Sequence, residues 1–551
     1  MKRLLCELES GMEMVGLRPN AAKSASLRIS VSGKVGKWFC HPEPFLSLAG
    51  GPVPAIDIQG SYKYLGIRTG AGRKVGEAVT NKLEEGLEQL SKAPLKPEQR
   101  LFFLRVHVLP SLYHETALCK YSKGLLKNLD RESRAAARRW LHLPHDVPQA
   151  LFHASPDEGG LGLPELLVQV PLMRRARVEK LFQRATEDRD PVLAAVIGMS
   201  RELRRERQRW EGGVPCYSRK VTDRTGRGRA TAAALHQSCD GCGLSDTREV
   251  PAVSRWVTSG TRVASGKSFV DAVHIRAGCL YSKVRASRGR SGAPGAVDLQ
   301  CEVCPARRET LAHVVQQCPR SAHARDERHN RVAKLLIQKL TASGFQVEAE
   351  PAIKTDYGVR RPDVVAYKPG EKAVIIDVTV VADLPGELSN AHDRKSNKYD
   401  DPQIRAWVAR RSGVSTTAVS LTSLTFNWRG ALHGRSAQDM VSLGVSLGTL
   451  EVMSLIVLEW GHRAWRESRD ATWIRMDQVP YCPASSRSRD ETGPHHHTGG
   501  SRRRHLAARP PQPVCPRGTG RHGRPVQAGT PGRGRHQPGP AGARGVVPSS
   551  R

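Results

Sequence analysis

The sequence predicts a multidomain α+β chain, and three observations carry that prediction. At 551 residues one hydrophobic core is not expected to serve the whole length, so three or four domains are anticipated. Apolar residues recur at helical spacing between about 75 and 185. Past residue 345 the pattern turns to strands, with Asp363–Tyr367 and Lys372–Val380 flanking the turn Lys368-Pro369-Gly370-Glu371.

Composition narrows the class of partner. Hydrophobic residues make up 39% of the chain, enough for folded cores over most of it. Lys and Arg total 86 against 53 Asp and Glu, a formal net charge of +33. The segment from Ala484 onward holds 13 Arg, Asp490 and Glu491, which is +11 and leaves +22 on the body. The basic character is therefore general and implies a polyanionic partner, although any single charged run reads equally well as a solvated face. Twelve cysteines in so long a chain do not suggest a disulfide framework. The start, Met1-Lys2-Arg3-Leu4-Leu5-Cys6-Glu7, lacks the apolar core of a secretory signal. No stretch approaches the ~18 apolar residues of a membrane span.

The elements follow in order. Leu4, Leu5, Leu8, Met12 and Val15 predict an opening helix that ends at Gly16. Ala25–Val31 alternates as a half-buried strand turned by Ser32-Gly33-Lys34, and Tyr62–Ile67 reads as one further strand. The helical stretch runs through Leu83, Leu87, Leu90 and Leu101 to Leu129 and Trp140, and Gly159–Pro164 breaks it. Residues 174–212 are arginine-dense, with interleaved Glu. Residues 213–300 are mixed, and their Cys239-x2-Cys242 lacks a second pair at metal spacing. Val332, Leu335, Leu336 and Leu340 predict an amphipathic helix, and 386–412 and 436–466 are mostly helical. After about Pro483, Gly, Pro, Arg and His dominate, and this tail is expected to be disordered.

Two constellations carry chemistry. The first is Cys301-x2-Cys304-x8-His313-x4-Cys318, whose three thiolates and one imidazole make a closed tetrahedral set for structural Zn²⁺. The bland reading is three ordinary buried cysteines. The second is Arg361-Pro362-Asp363 followed by thirteen residues and Asp377. Two carboxylates suit Mg²⁺, which polarises a scissile phosphate and activates water. A lysine would stabilise the transition-state charge. Its usual place, two residues after the second acid, is Thr379, so Lys395 and Lys398 on the following helix are the candidates. Glu350 and His329 are further candidates. The turn Lys368–Glu371, taken as a two-residue hairpin, sets Asp363 opposite Ile376 and sends the two acids to opposite faces. Only a bulge or a looser turn unites them. The bland reading is a surface hairpin bearing two ordinary aspartates.

The order of these parts resembles the C-terminal half of the polyproteins of site-specific, type-1 non-LTR retrotransposons that insert into ribosomal RNA genes. Glu309–Pro319 is similar to the family's zinc knuckle. Arg328-His329-Asn330 is similar to its Arg-His-Asp run, with Asn in place of Asp. Arg361-Pro362-Asp363, Asp377 and Lys395-x2-Lys398-Tyr399 resemble its nuclease signature. Gly16–Lys23, with Lys23 as the polymerase-motif residue, and Tyr62–Ile67 resemble the last palm motifs. Trp140–Pro144 with Gly159–Pro164 resembles the thumb.

The resemblance implies a remnant of the reverse transcriptase palm over 1–75, a helical thumb over 76–185 and a linker over 186–300. A Cys-Cys-His-Cys zinc knuckle over 301–325 follows, then an α/β restriction-like nuclease of the PD-(D/E)xK type over 326–480 and the basic tail over 481–551. It also implies an enzyme that nicks target double-stranded DNA in ribosomal RNA genes, with structural Zn²⁺ and catalytic Mg²⁺, and primes reverse transcription on the element's own RNA in the nucleus. The paired polymerase aspartates would precede Met1, so the expectation for this chain is endonuclease and nucleic-acid binding, without polymerase activity. Two other readings stand beside it. One is a decayed nucleic-acid-binding remnant. The other is a junction resolvase, which shares the nuclease core but accounts for neither palm nor linker.

Overall fold

In a computed structural model the chain is described over residues 2–31, 38–57, 60, 62–64, 67–69, 75–119, 121–187, 189–259, 263–288 and 298–473. The expected tail over 481–551 and the turn Ser32-Gly33-Lys34 lie outside these residues. No helix among them is long and apolar enough to cross a membrane.

Among the described residues of the first seventy, Leu48 and Val53 are the buried apolar side chains. A helix over Lys2–Met14 is closed by Gly16, whose φ of +72° lets Leu17 N–H reach back to Met12 O at 2.8 Å. Short hairpins follow. Arg28–Val31 pairs with Trp38–His41, and its four residues are all exposed, so the half-buried strand expected from the alternation is a surface ribbon. Tyr62–Tyr64 pairs with Ile67–Thr69, so the single strand expected over 62–67 is instead a hairpin. The alternating apolar pattern is the same for both, and the chain reverses within it.

Helices dominate from residue 75. Helix α1 (Val75–Lys92) buries Val79, Leu83, Leu87 and Leu90 at spacings of three and four. Helix α2 (Lys123–Leu141) starts where Ser122 Oγ accepts Leu125 N–H at 3.1 Å and ends at His142 in the left-handed conformation. Helix α3 (Leu166–Glu187) has its first two amides capped from a neighbour, Asp130 of α2, at 2.7 and 2.8 Å. The apolar core of this layer is not confined to it. It continues through Trp256 and through Phe269 and Ile275 of helix α4 (Gly266–Arg276) to Trp428, Leu455 and Leu458.

The C-terminal part is a sheet with helices on both faces. Strands β1 (Gln346–Ala349), β2 (Val364–Lys368), β3 (Lys372–Val381) and β4 (Val419–Asn427) lie in the order β4-β3-β2-β1. The β1–β2 and β2–β3 pairs are antiparallel, and β3–β4 is parallel. On one face Val364, Val374, Ile376 and Phe426 pack against Val332 and Leu336 of helix α6 (Ala322–Ala342), with Met440, Met453 and Val457 alongside. On the other face Val365, Ala373 and Ile375 meet Tyr399, Ile404 and Val408. Both faces are covered, which is why Ala373–Val378 reads as an apolar run broken only by Asp377. Burying one such Ile or Val contributes about 1.5–3 kcal/mol.

The β2–β3 turn corrects the register expected from sequence. Glu371 N–H donates to Lys368 O at 3.0 Å and Gly370 has φ +71°, as the type II turn requires. The ladder, however, resumes one residue later, with Lys368 opposite Lys372 and Val364 opposite Ile376. Glu371 is the additional residue that loosens the loop. Continued one step, this register sets Asp363 opposite Asp377, and residues directly opposite share a face.

The sheet's far end is tied to the preceding helices. After β4, Trp428 Nε1–H donates to Asp383 Oδ1 at 2.8 Å and Arg429 Nε–H to Asp383 Oδ2 at 2.6 Å. Arg429 also reaches the carbonyl of Arg276 at 3.1 Å.

Candidate active site and metal centre

The carboxylate site is assembled from the β2–β3 pair and the helices at its two sides. Asp363 precedes β2, and both of its side-chain hydrogen bonds fall on Oδ2, from Val378 N–H at 2.6 Å and from His329 Nε2 at 3.0 Å. Burial acts to raise the Asp363 carboxyl, but the His329 bond and charge and the Val378 amide outweigh it and hold it below the usual carboxylate range. The same contact raises His329 above an ordinary imidazole, against its burial.

Asp377 sits within β3, and its side chain is 3% exposed. Oδ1 lies 3.0 Å from the Tyr399 hydroxyl, and Oδ2 lies 2.7 Å from Lys395 Nζ. A carboxylate this deep requires such partners. Burial first, and then the adjacent Asp377, push the Tyr399 hydroxyl up, so it stays protonated.

Lys395 and Lys398 both lie on helix α7 (Glu387–Lys398), but they do different things. Lys395 meets Asp377 directly. Lys398 Nζ donates to the Tyr399 hydroxyl oxygen at 3.0 Å and reaches the acid only through it. Glu350 follows β1, and its N–H donates to Asp363 O at 3.0 Å, one step beyond the Ala349–Val364 pair. Glu350, Asp363 and Asp377 thus occupy one row across three strands. The Glu350 backbone is left-handed (φ +46°), and its side chain is exposed with no bond to either acid. Lys23 ends a 3₁₀ turn whose start is capped by Asn20, and its side chain is exposed. Tyr399 is the residue whose contact with the acids sequence reasoning did not assign. Its place beside Lys398 was the available signal.

The second cluster is built by a tight loop and one short helix. Cys301 N–H donates to Arg307 O and Arg307 N–H to Cys304 O, both at 2.8 Å, which curls the Cys-x2-Cys loop. Helix α5 (Leu311–Gln316) is capped by Thr310 Oγ1 accepting His313 N–H at 3.0 Å. That fixes His313 on the first turn, and Cys318 lies just beyond the last. The four ligand atoms lie within 4.8 Å of one another, and Cys301 Sγ and Cys318 Sγ are 3.8 Å apart. A tetrahedron with bonds of ~2.3 Å has an edge of roughly 3.8 Å. Both ring nitrogens of His313 are buried without a hydrogen-bond partner. Burial pushes the Cys318 thiol up to about 11, so gathering these thiols as thiolates calls for a cation. The four side chains could hold a metal ion. Cys239 and Cys242 are both exposed and form no such group among the described residues.

The two sites are joined by one glutamine. Gln316, the last residue of α5, donates to Val380 O at 3.2 Å and Val381 O at 2.7 Å at the end of β3. Its own oxygen accepts from the buried Arg328, next to His329.

No family model matches the chain. Among curated proteins, it is 33% identical over 434 residues to the Retrovirus-related Pol polyprotein from type-2 retrotransposable element R2DM of Drosophila melanogaster, covering 79% of this chain and 40% of that protein. It is 28% identical over 436 residues to the corresponding type-1 R2 polyprotein of Nasonia vitripennis, covering 78% and 40%. With a type-1 R2 polyprotein of Popillia japonica the identity is 30% over 410 residues, covering 74% of this chain and 81% of that protein. The chain spans about 40% of the length of the first two relatives. Agreement at this level over three quarters of its residues places the chain in the family of Pol polyproteins of R2 retrotransposable elements.

Proposed function

We propose that the chain carries a Mg²⁺-dependent DNA endonuclease site of the restriction-like, PD-(D/E)xK type. The observation that supports this most directly is the register that sets Asp363 opposite Asp377, with Lys395 2.7 Å from the second acid. Two hard oxygen donors on one face of a sheet suit Mg²⁺, and Asp363 and Asp377 would hold it. When bound, that ion polarises the scissile phosphate and lowers the pKa of the attacking water.

The chain's own residues do the rest. His329 and the Val378 amide fix the Asp363 carboxylate. The Tyr399 hydroxyl fixes Asp377, and Lys398 holds that hydroxyl. Lys395 balances the Asp377 charge and would be placed to stabilise charge building on the phosphate. Zn²⁺ on Cys301, Cys304, His313 and Cys318 would be structural, since all four positions come from protein and none is left for water.

Within the polyprotein we read 1–75 as the end of a reverse transcriptase palm, 76–185 as thumb, 186–300 as linker, 301–325 as knuckle and 326–480 as endonuclease. In this reading the endonuclease acts in the nucleus on ribosomal RNA genes, and the nick it leaves primes reverse transcription of the element RNA. The test is nicking of a supercoiled plasmid carrying a ribosomal RNA gene, with Mg²⁺, by this chain and by its Asp363→Ala variant. Mg²⁺-dependent nicking that disappears in the variant is the expected result. Binding without nicking in either protein would instead indicate a nucleic-acid-binding remnant.

A further inference from the structure

A pocket of about 500 Å³ opens between α3, the helix Arg201–Trp210 and the hairpin Val214–Cys216/Arg219–Val221. Its volume falls in the range of small-ligand sites, ~300–1,000 Å³. Three aromatic side chains, Tyr121, Trp210 and Tyr217, line it together with four cations, Lys123, Arg174, Arg209 and Lys220. The acid in its lining is Glu206, and Arg174 already neutralises it, with Nη2 3.1 Å from Oε2. Arg174 is itself anchored to Cys119 O at 2.7 Å. Among the described residues no carboxylate therefore answers the three remaining cations within the pocket.

Two details show how the aromatic groups are presented. Tyr217 is the first of two loop residues in the hairpin, with φ +52°, a conformation such loops normally give to Gly, Asn or Asp. The residue as a whole is nonetheless 42% exposed, while its hydroxyl end lies inward, where burial first and then the charge of Glu165 push it up. The Arg209 guanidinium carbon lies over the Trp210 ring, 4.7 Å from its centre.

We infer that this pocket receives one unstacked nucleotide of a single-stranded nucleic acid. The base lies against Tyr217 and Trp210, and the neighbouring phosphates meet Lys123, Arg209 and Lys220. Aromatic faces accept any base, and cations accept the backbone, which is the chemistry of single-strand binding. A duplex keeps its bases stacked and paired, so only an extruded base can enter a cavity of this size. An acidic peptide would use the cations and leave three aromatic faces idle. None of these residues belongs to the carboxylate site, so the inference stands or falls apart from the nuclease reading.

The experiment measures binding of the full chain to a short mixed-sequence RNA, the same sequence as single-stranded DNA, and the corresponding duplex, by fluorescence anisotropy across a salt series. Variants are Tyr217→Ala, Tyr217→Phe and the double variant Lys123→Ala/Lys220→Ala, each checked for unchanged thermal unfolding. Tyr217→Ala should weaken single-strand binding about tenfold while Tyr217→Phe keeps it, because stacking needs the ring and not the hydroxyl. The double lysine variant should flatten the log–log salt slope by roughly 1.4, the value for two phosphates on a single strand. Stronger binding of RNA identifies a site that also reads the 2′-hydroxyl, and equal or stronger binding of DNA identifies an unpaired DNA strand as the ligand; both support the pocket. Single-strand affinity unchanged in Tyr217→Ala and the double lysine variant, or an equal loss of duplex binding in them, would overturn it.

Discussion

Lys395 Nζ stands 2.7 Å from Asp377 Oδ2 and so bridges α7 and the centre of the sheet. The side chains are 31% and 3% exposed, so the acid is deep while the lysine keeps contact with water. A buried carboxylate left alone is costly. The same lysine that stabilises the fold is thereby held beside the proposed cation site.

A double-mutant cycle separates the fold role of this pair from its chemistry. Lys395→Ala should destabilise the chain by about 1–3 kcal/mol, discounted from the ~3–5 kcal/mol of a fully buried pair because Lys395 is partly solvated. Adding Asp377→Asn should recover most of that loss. Urea unfolding in the presence of a chelator measures both, and an Asp377→Asn background that recovers nothing would remove the argument.

The Cys/His cluster should bind one zinc per chain, and Cys318→Ser should lose it. Because Gln316 joins α5 to the carbonyls of Val380 and Val381, metal loss should propagate into β3. Elemental analysis gives the stoichiometry. Hydrogen exchange should become faster at the end of β3 in the variant, whereas exchange confined to residues 301–318 would show that the clamp transmits nothing.

Asp383→Ala should cost about 3–5 kcal/mol, since it strands the buried Arg429 and removes the acceptor for Trp428 Nε1–H. Asp383→Asn, which keeps an acceptor but not the charge, should fall between wild type and Ala. Thermal melting of the three proteins orders them.

Glu165 yields a pH prediction. Burial, followed by the charge of Asp130, raises its carboxyl to about 7, against an ordinary 4.5. The folded chain therefore holds this proton up to about pH 7, while the unfolded chain releases it near 4.5. Unfolding then becomes easier as pH rises through that window, and the loss is complete above 7. Glu165→Gln should thus raise the melting temperature at pH 8, by the equivalent of ~1–3 kcal/mol, and change it little at pH 4. A gain that is equal at both pH values would exclude ionisation as its cause.

The sequence alone singled out the candidate residues through spacing. Cys-x2-Cys, a histidine and a following cysteine are close in the chain, and a loop followed by one helical turn is enough to gather them, so local geometry nearly settles that cluster. Helices α1, α2 and α6 were also legible, because each shows a continuous apolar stripe. The helical 386–412 segment correctly placed Lys395 and Lys398 on one helix.

Tertiary structure decided the remainder. Whether Asp363 and Asp377 share a face turned on one residue, Glu371, in a loop whose turn type was readable but whose ladder register was not. The single strand expected over 62–67 became a hairpin, and β4 went unmarked, because a strand lying parallel and buried looks like any short apolar run. The Asp130 cap on α3, the bond from His329 to Asp363 and the approach of Tyr399 to Asp377 each join residues distant in sequence, over separations of 36, 34 and 22 positions. Periodicity is a property of one segment and is set by its own backbone geometry. Which segments then meet is set by the burial they achieve together, and no single segment carries that information.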